Sequence, residues 1–473
     1  MSFLIYDLIF LAAFTLLVVG FLYAKRSRLQ RQGLLYLYRT QWGVKRIDEF
    51  AKKHASWLKP AQYLVILSGF ILMAAMIYFL LQFSWVYLTS PIAAAAIKVP
   101  VLLPLIPYLP ELFNISFLPS FPFTYWILII AIIAIPHEFA HGIFARLNSL
   151  RVHSTGFGFL GPFLAAFVEP DEKAMNKLPK MPQMAILAAG TFANVLTTIL
   201  FAIIMFLFFS AFFTPAGVLF STYAVSAIQP AQSQVAGPAF NFTSQQFHNQ
   251  EIELIPITFE QEIYYTSPQL FQAAQEQGIE QIEAFSDTPA FNAKLAGAIT
   301  HIDDHEITSL EELQHTLRDH VQPGQTVLVR TAYIKDAQTT EAEITTTSLT
   351  LADRQGVAFL GIGSIPQNRD SLMGKVYNLG TLIKNPQVYY TSELGNFGWF
   401  IYNFLWWTVL ICISVALVNM LPVGIFDGGR FFYLTIAALT GSDKIGRKAF
   451  AWSTWIILLL VAALMVKWIF LFL

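Results

Sequence analysis

Apolar positions in this chain fall into six long runs, near residues 3–24, 61–89, 124–147, 183–212, 396–422 and 449–473. Each is long enough for a helix that crosses a bilayer, which takes roughly 20 residues. Between them the basic residues gather in alternate connections. Ten Lys and Arg lie in 25–59, then come Arg146, Arg151, Lys173, Lys177 and Lys180, then Arg430, Lys444, Arg447 and Lys448. Positive charge collected on one set of connections marks the cytoplasmic face. Both termini and the long segment 213–395 are therefore expected outside. The first run has no positive n-region and is followed by Lys25, Arg26, Arg28 and Arg31, the pattern of an uncleaved span.

The segment 213–395 changes character. It is rich in Gln, Thr, Glu and Ala and holds alternating runs such as Thr326-Val327-Leu328-Val329-Arg330, so it is expected to be a folded α+β insert. Within it, Asp287–Ala290, Ala296–Asp303, SLEELQHTL at 309–317 and Pro323-Gly324 follow a strand, turn, strand, helix, turn, strand order. That order resembles a PDZ domain over about 277–365, with a generic α+β insert as the alternative. Segment 90–123 is apolar but carries seven prolines, and is expected to lie against or dip into the outer face rather than cross. Segment 152–170, VHSTGFGFLGPFLAAFVEP, is too Gly-interrupted for a helix and is expected to form a membrane-associated hairpin at the inner face, covered by protein or lining a watery cavity.

Composition fits this pattern: of 473 residues, 55% are hydrophobic and 12% charged, with 43 Phe, which excludes an ordinary soluble domain. The fold class is a polytopic α-helical membrane protein with about six transmembrane helices. The expected divisions are 1–89 (two helices), 90–212 (first half of a membrane core), 213–395 (the insert) and 396–473 (second half of the core). A net charge of −1 with no basic tract gives no reason to expect nucleic acid as a partner. The single cysteine, Cys412, lies in an apolar run, so no intramolecular disulfide forms.

Against that apolar background IPHEFAHG at 135–142 stands out. On a helix, His137 and His141 are one turn apart on one face and bring two imidazoles to one ion, with Glu138 beside them. In this H-E-x-x-H arrangement, neutral histidines bind Zn²⁺ and the glutamate takes a proton from water. Ionisable groups inside a span are costly and mark function by default. Asp427, in NMLPVGIFDGG at 419–429, is one of few acids in membrane-embedded sequence and is the candidate third ligand. Of the remaining histidines, His301, His305, His315 and His320 are expected to be solvated, and His54 and His153 interfacial.

HEFAH in a span, Gly190 and Asn194 as G-x-x-x-N in the next, the PDZ-like insert, and N-x-x-P followed by D-G-G together resemble the site-2 protease family of intramembrane zinc metalloproteases. The resemblance implies a Zn²⁺ cofactor held by His137, His141 and Asp427, with Glu138 as general base. It implies Asn419 and Asn194 at the substrate. The partners would be membrane-embedded protein substrates and the bilayer itself, in a prokaryotic cell membrane with the zinc site toward the cytoplasmic half. Gly424 stands where many bacterial members have a second proline, which leaves the local turn open. The competing readings are a zinc transporter, a metalloprotease of the type that trims prenylated tails, and an inactive receptor or scaffold.

Overall fold

The computed structural model describes residues 3–33, 35–90, 105–112, 118–160, 163–247, 249–333, 342–363, 381 and 383–472. The chain divides into two compact units, Met1–Met205 with Tyr402–Leu473, and Phe206–Ile401.

The first unit is built from α1 (Phe3–Ala24), α2 (Trp42–Lys53), α3 (Ala55–Thr89), α4 (Phe123–Leu147), α5 (Lys180–Phe212), α6 (Gly395–Asn419), α7 (Asp427–Thr440) and α8 (Asp443–Phe472), the last turns of α5 and the first of α6 lying in the second unit. Among the described residues, six of these helices, all but α2 and α7, are long and apolar enough to span a membrane. They coincide with the six apolar runs. α3 begins six residues earlier than the hydropathy suggests, because polar Lys59 and Gln62 fit a helix as well as Leu58 does; Pro60 stands inside the helix as its sixth residue and leaves the Ser56 carbonyl without an i+4 donor. Of the proline-broken segment 90–123, residues 91–104 and 113–117 lie outside the described residues. The rest holds one helical turn, Leu109–Leu112.

The expected hairpin is present as β3 (Val152–Leu160) and β4 (Phe163–Pro170), paired antiparallel from Val152↔Pro170 to Leu160↔Phe163. It is half of a larger sheet. β1 (Leu29–Gln32) and β2 (Leu35–Thr40) form a second hairpin, and Tyr36 to Thr40 pair with Phe159 to Thr155, giving the order β1-β2-β3-β4. α2 covers this unit with Gly43, Ile47 and Ala51, spaced four apart on one buried face. The unit's core joins Val65 and Leu72 of α3, Phe144 of α4, Ala185, Ala188 and Ala189 of α5, Met420 and Phe431. The alanines bring α5 close to its neighbours, as small residues do at helix interfaces in membranes.

α7 is the second element that hydropathy alone does not show. Gly428 and Gly429 make it possible: a Cβ at 428 would stand 2.3 Å from the Met420 carbonyl carbon, and one at 429 would stand 2.3 Å from the Val423 oxygen. The turn after α6 therefore folds directly onto the first residues of α7. Arg430 donates to Asn176 Oδ1 at 2.7 Å and Gln183 Oε1 at 3.2 Å, and Lys180 Nζ donates to the Ala437 carbonyl near the helix end, so α7 is tied to α5 at both ends.

The second unit has its own cores and two six-stranded antiparallel sheets. One orders Val225–Ile228, Ile282–Ser286, Glu262–Thr266, Glu251–Phe259 and Gln234–Val235, with Phe240–Thr243 also on Glu251–Phe259. The other orders Glu343–Thr350, Thr326–Tyr333, Ala298–Ile302, Phe213–Val218 and Val388–Ser392, with His305–Glu306 on Ala298–Ile302. The stretch 277–365 thus runs strand, helical turn, strand, hairpin, helix, then strands. Among the described residues its strands enter both six-stranded sheets, each completed by segments outside that stretch, and two two-stranded pairings, Ala352–Arg354 with Val357–Phe359 and Ile362–Gly363 with Thr222–Tyr223.

Candidate metal centre

The histidine-bearing helix α4 is fixed at its start by an acid from another helix. Asp7 of α1 is 1% exposed. Its carboxylate accepts from Phe123 N–H at 2.8 Å, Thr124 N–H at 2.9 Å, Thr124 Oγ1 at 2.6 Å and Tyr108 OH at 2.5 Å. These are the orphan donors of a helix N-terminus, answered by a carboxylate where the helix dipole favours negative charge. The sequence reading missed Asp7; an acid inside an otherwise apolar first run was the signal.

Immediately before His137, Pro136 lacks an N–H, so the Ile132 carbonyl has no i+4 donor. His137 and His141 follow on one face, their ring centroids 4.7 Å apart and their Nε2 atoms 3.1 Å apart. Asp427, the first residue of α7, brings Oδ2 to 3.3 Å from His141 Nε2 and 3.7 Å from His137 Nε2. Among the described residues, these three form the group of potential ligand atoms that all lie within 4.8 Å of one another.

The other ring nitrogens are occupied. His141 Nδ1 lies 2.7 Å from the Ile186 carbonyl, which only accepts, so the proton sits on Nδ1 and the Nε2 lone pair is free. His137 Nδ1 lies 3.1 Å from the Asn194 amide. That amide is fully buried, its nitrogen faces the ring, and Oδ1 has no hydrogen-bond partner. A half-turn of the amide satisfies Oδ1 with the Nδ1 proton and frees the second Nε2 lone pair. The resemblance set Asn194 at the substrate; the structure places its amide against His137 Nδ1.

Gly190, one turn before Asn194 on α5, explains the G-x-x-x-N spacing. A Cβ there would lie 2.4 Å from His141 Nε2 and 2.6 Å from His137 Nε2. Any side chain would fill the space between the imidazoles, so the glycine leaves room for an ion.

These residues fit zinc. Tetrahedral ligands about 2.0–2.1 Å from Zn²⁺ stand roughly 3.3 Å from each other, and the three pairs here are separated by 3.1, 3.3 and 3.7 Å. Two nitrogen lone pairs and a carboxylate oxygen are a donor set that a borderline divalent cation takes.

Glu138, next to the ligand pair, is half-buried, and its Oε2 accepts from the Val168 N–H of β4 at 3.0 Å. β4 is an end strand of the sheet, so this N–H points away from β3. Asn419 stands at the end of α6. It lines an apolar cavity of about 320 Å³ together with Leu105, Phe121, Trp407, Ile411 and Val415.

The chain belongs to peptidase family M50, whose family model matches residues 125–464. It is also similar to two proteins of Xylella fastidiosa, from strains Temecula1 and 9a5c, each described as "Putative zinc metalloprotease". Both are 34% identical over 88 residues, a stretch that is 19% of this chain and 19% of the length of each relative. The family is one of peptidases, the relatives' printed names are those of zinc metalloproteases, and among the described residues six helices are long and apolar enough to cross a membrane. Zinc is accordingly the cofactor that His137, His141 and Asp427 are placed to hold.

Proposed function

We propose that this chain is an intramembrane zinc endopeptidase of the site-2 type, which hydrolyses peptide bonds in or near transmembrane segments of membrane-anchored proteins. The observation that carries the reading is the convergence of two imidazole Nε2 atoms and the Asp427 carboxylate inside an apolar helical unit, with Glu138 adjacent. Zinc, when bound by those three residues, supplies Lewis acidity that polarises the scissile carbonyl and acidifies water.

The chain's own residues do the rest. Glu138 takes a proton from the attacking water at the carboxylate oxygen not held by Val168, and passes it to the leaving amide nitrogen. Val168 N–H keeps that carboxylate from swinging onto the metal ligands. A substrate helix hides its carbonyls in intrahelical hydrogen bonds and must unwind before it is cut. The freed strand then pairs with the outer edge of β4, whose Val168 already addresses the base, so the added strand runs past Glu138. Asn419 donates to the substrate backbone or the developing oxyanion, and the apolar cavity it lines receives neighbouring apolar side chains. Asn194 is a positioning residue that sets the tautomer of His137.

The segment 213–395 is the extracytoplasmic part of this enzyme, and its PDZ-like portion selects substrates by strand addition or by capturing a chain end. The zinc site faces the cytoplasmic half of the membrane, as the alternation of basic connections requires.

The test is paired: zinc by elemental analysis, and cleavage of a single-span substrate in detergent. Glu138→Gln keeps zinc and loses cleavage by about 10²–10⁴-fold, the range for a lost general base. Asp427→Asn loses zinc and cleavage together. Cleavage by Glu138→Gln at the wild-type rate would sink the proposal.

A further inference from the structure

Outside the metal centre, three histidine rings gather on the surface of the insert. His305 sits in the hairpin formed by His305–Glu306 and Ala298–Ile302, and His315 and His320 lie on the helix that follows. In an α-helix, residues five apart diverge by about 140°. Here the segment Thr316–His320 winds as a wider π turn, which returns position 320 to the face of position 315. The rings of His315 and His320 are consequently 5.1 Å apart, and those of His305 and His320 are 4.5 Å apart. Asp319 adds a carboxylate whose Oδ2 lies 3.4 Å from His315 Nε2.

These residues have no packing role. All four are exposed, with the His315 and Asp319 side chains 63% and 48% accessible. Three imidazoles gathered in water gain little from one another. Two imidazoles on one tetrahedral ion have ring centroids about 5 Å apart, and the pair in the metal centre stands at 4.7 Å. The spacings in the insert bracket that value. The rings tilt by 31° and 51°, so turning their nitrogens to one point needs rotations of exposed side chains.

We propose that His305, His315 and His320, with Asp319, form a second metal site for a borderline divalent cation, with Zn²⁺ as the ion tested. Imidazole-rich donor sets favour such ions over Mg²⁺ or Ca²⁺. Binding ties the 301–306 hairpin to the end of the helix and holds the π turn closed. The site is weaker than the membrane one, because exposed ligands without fixed tautomers must be ordered when the ion arrives.

The experiment uses the full chain in detergent, dialysed against buffered free Zn²⁺ from nanomolar to high micromolar, with zinc per chain read by elemental analysis. Wild type takes up one equivalent at low free Zn²⁺ and a second at micromolar levels. His320→Ala loses the second equivalent and keeps the first. His141→Ala does the reverse. The double variant His305→Gln and His315→Gln, which preserves polarity and size, loses the second equivalent too, and decides the matter if His320→Ala misfolds. A single equivalent in wild type across the whole range would overturn the proposal, as would a second equivalent retained by either insert variant.

Discussion

The two histidine groups in this chain are made in opposite ways. His137 and His141 are four apart on a regular helix, so secondary structure alone aligns them, and every remaining polar atom is then held. Ile186 and Asn194 address the Nδ1 atoms, Gly190 keeps the space open, and Asp7 pins the start of the helix that carries both. His315 and His320 are five apart, need a π turn to meet, and stand in solvent with Asp319 as a close acidic neighbour. The difference is preorganisation. In the apolar unit an unfixed imidazole would leave a buried polar atom unpaired, at a cost of about 1–3 kcal/mol, so the support is built in. In water the same atom is solvated, and order can wait for the ion.

The comparison breaks first at Gly190. Gly190→Ala puts a methyl carbon between the imidazoles and is expected to weaken zinc binding by about 100-fold or more, beyond the range for a lost supporting contact, as read by competition with a zinc chelator. The fold is retained, because the methyl meets side-chain ring atoms rather than backbone. Next is Asn194. Asn194→Ala removes the acceptor for His137 and lowers zinc affinity by about 10–100-fold; Asn194→Asp, which keeps an acceptor, recovers most of it. Equal affinity in Ala and Asp variants would mean that Asn194 is packing and not support.

Smaller effects follow from the elements that carry the site. Asp7→Ala leaves two backbone N–H groups of α4 unanswered and costs about 1–2 kcal/mol, the range for a lost N-cap, seen as a lowered thermal midpoint with zinc stoichiometry intact. The smallest effect is electrostatic. Arg39, hydrogen-bonded to Glu169 across β3, holds the Glu169 carboxyl below the usual carboxylate range, helped by Ser154. A depressed folded-state pKa gives stability that is complete above the unfolded value and is lost as pH falls through the folded one. Glu169→Gln therefore flattens the acid limb of stability below about pH 4.5 and leaves neutral pH little changed, by under about 1 kcal/mol for a pair this exposed. Melting curves between pH 3 and 7 read it directly.

Much of this molecule was legible in the chain. Six spans followed from apolar runs, because a bilayer demands about the same length of helix wherever it is crossed. The ligand pair followed from the 3.6-residue period, which sets His137 over His141 whatever surrounds them. Asp427 followed from rarity, since an acid in apolar sequence is there for a reason. Other features were opaque. β1 and β2 were hidden because pairing with β3 is a long-range contact that the local pattern does not encode. α7 was hidden because its start depends on two glycines meeting the backbone of Met420 and Val423.

The sequence by itself determined the number of span-length helices and the ligand pair of the centre, both of which rest on local periodicity and on the cost of placing charge in lipid. Tertiary structure decided what surrounds that chemistry. It set Asn194 behind His137, aimed Val168 at Glu138, and used a π turn to bring His320 to His305 and His315. Such contacts join residues up to 57 positions apart or depart from the ideal helical period, and only the packed chain holds them together.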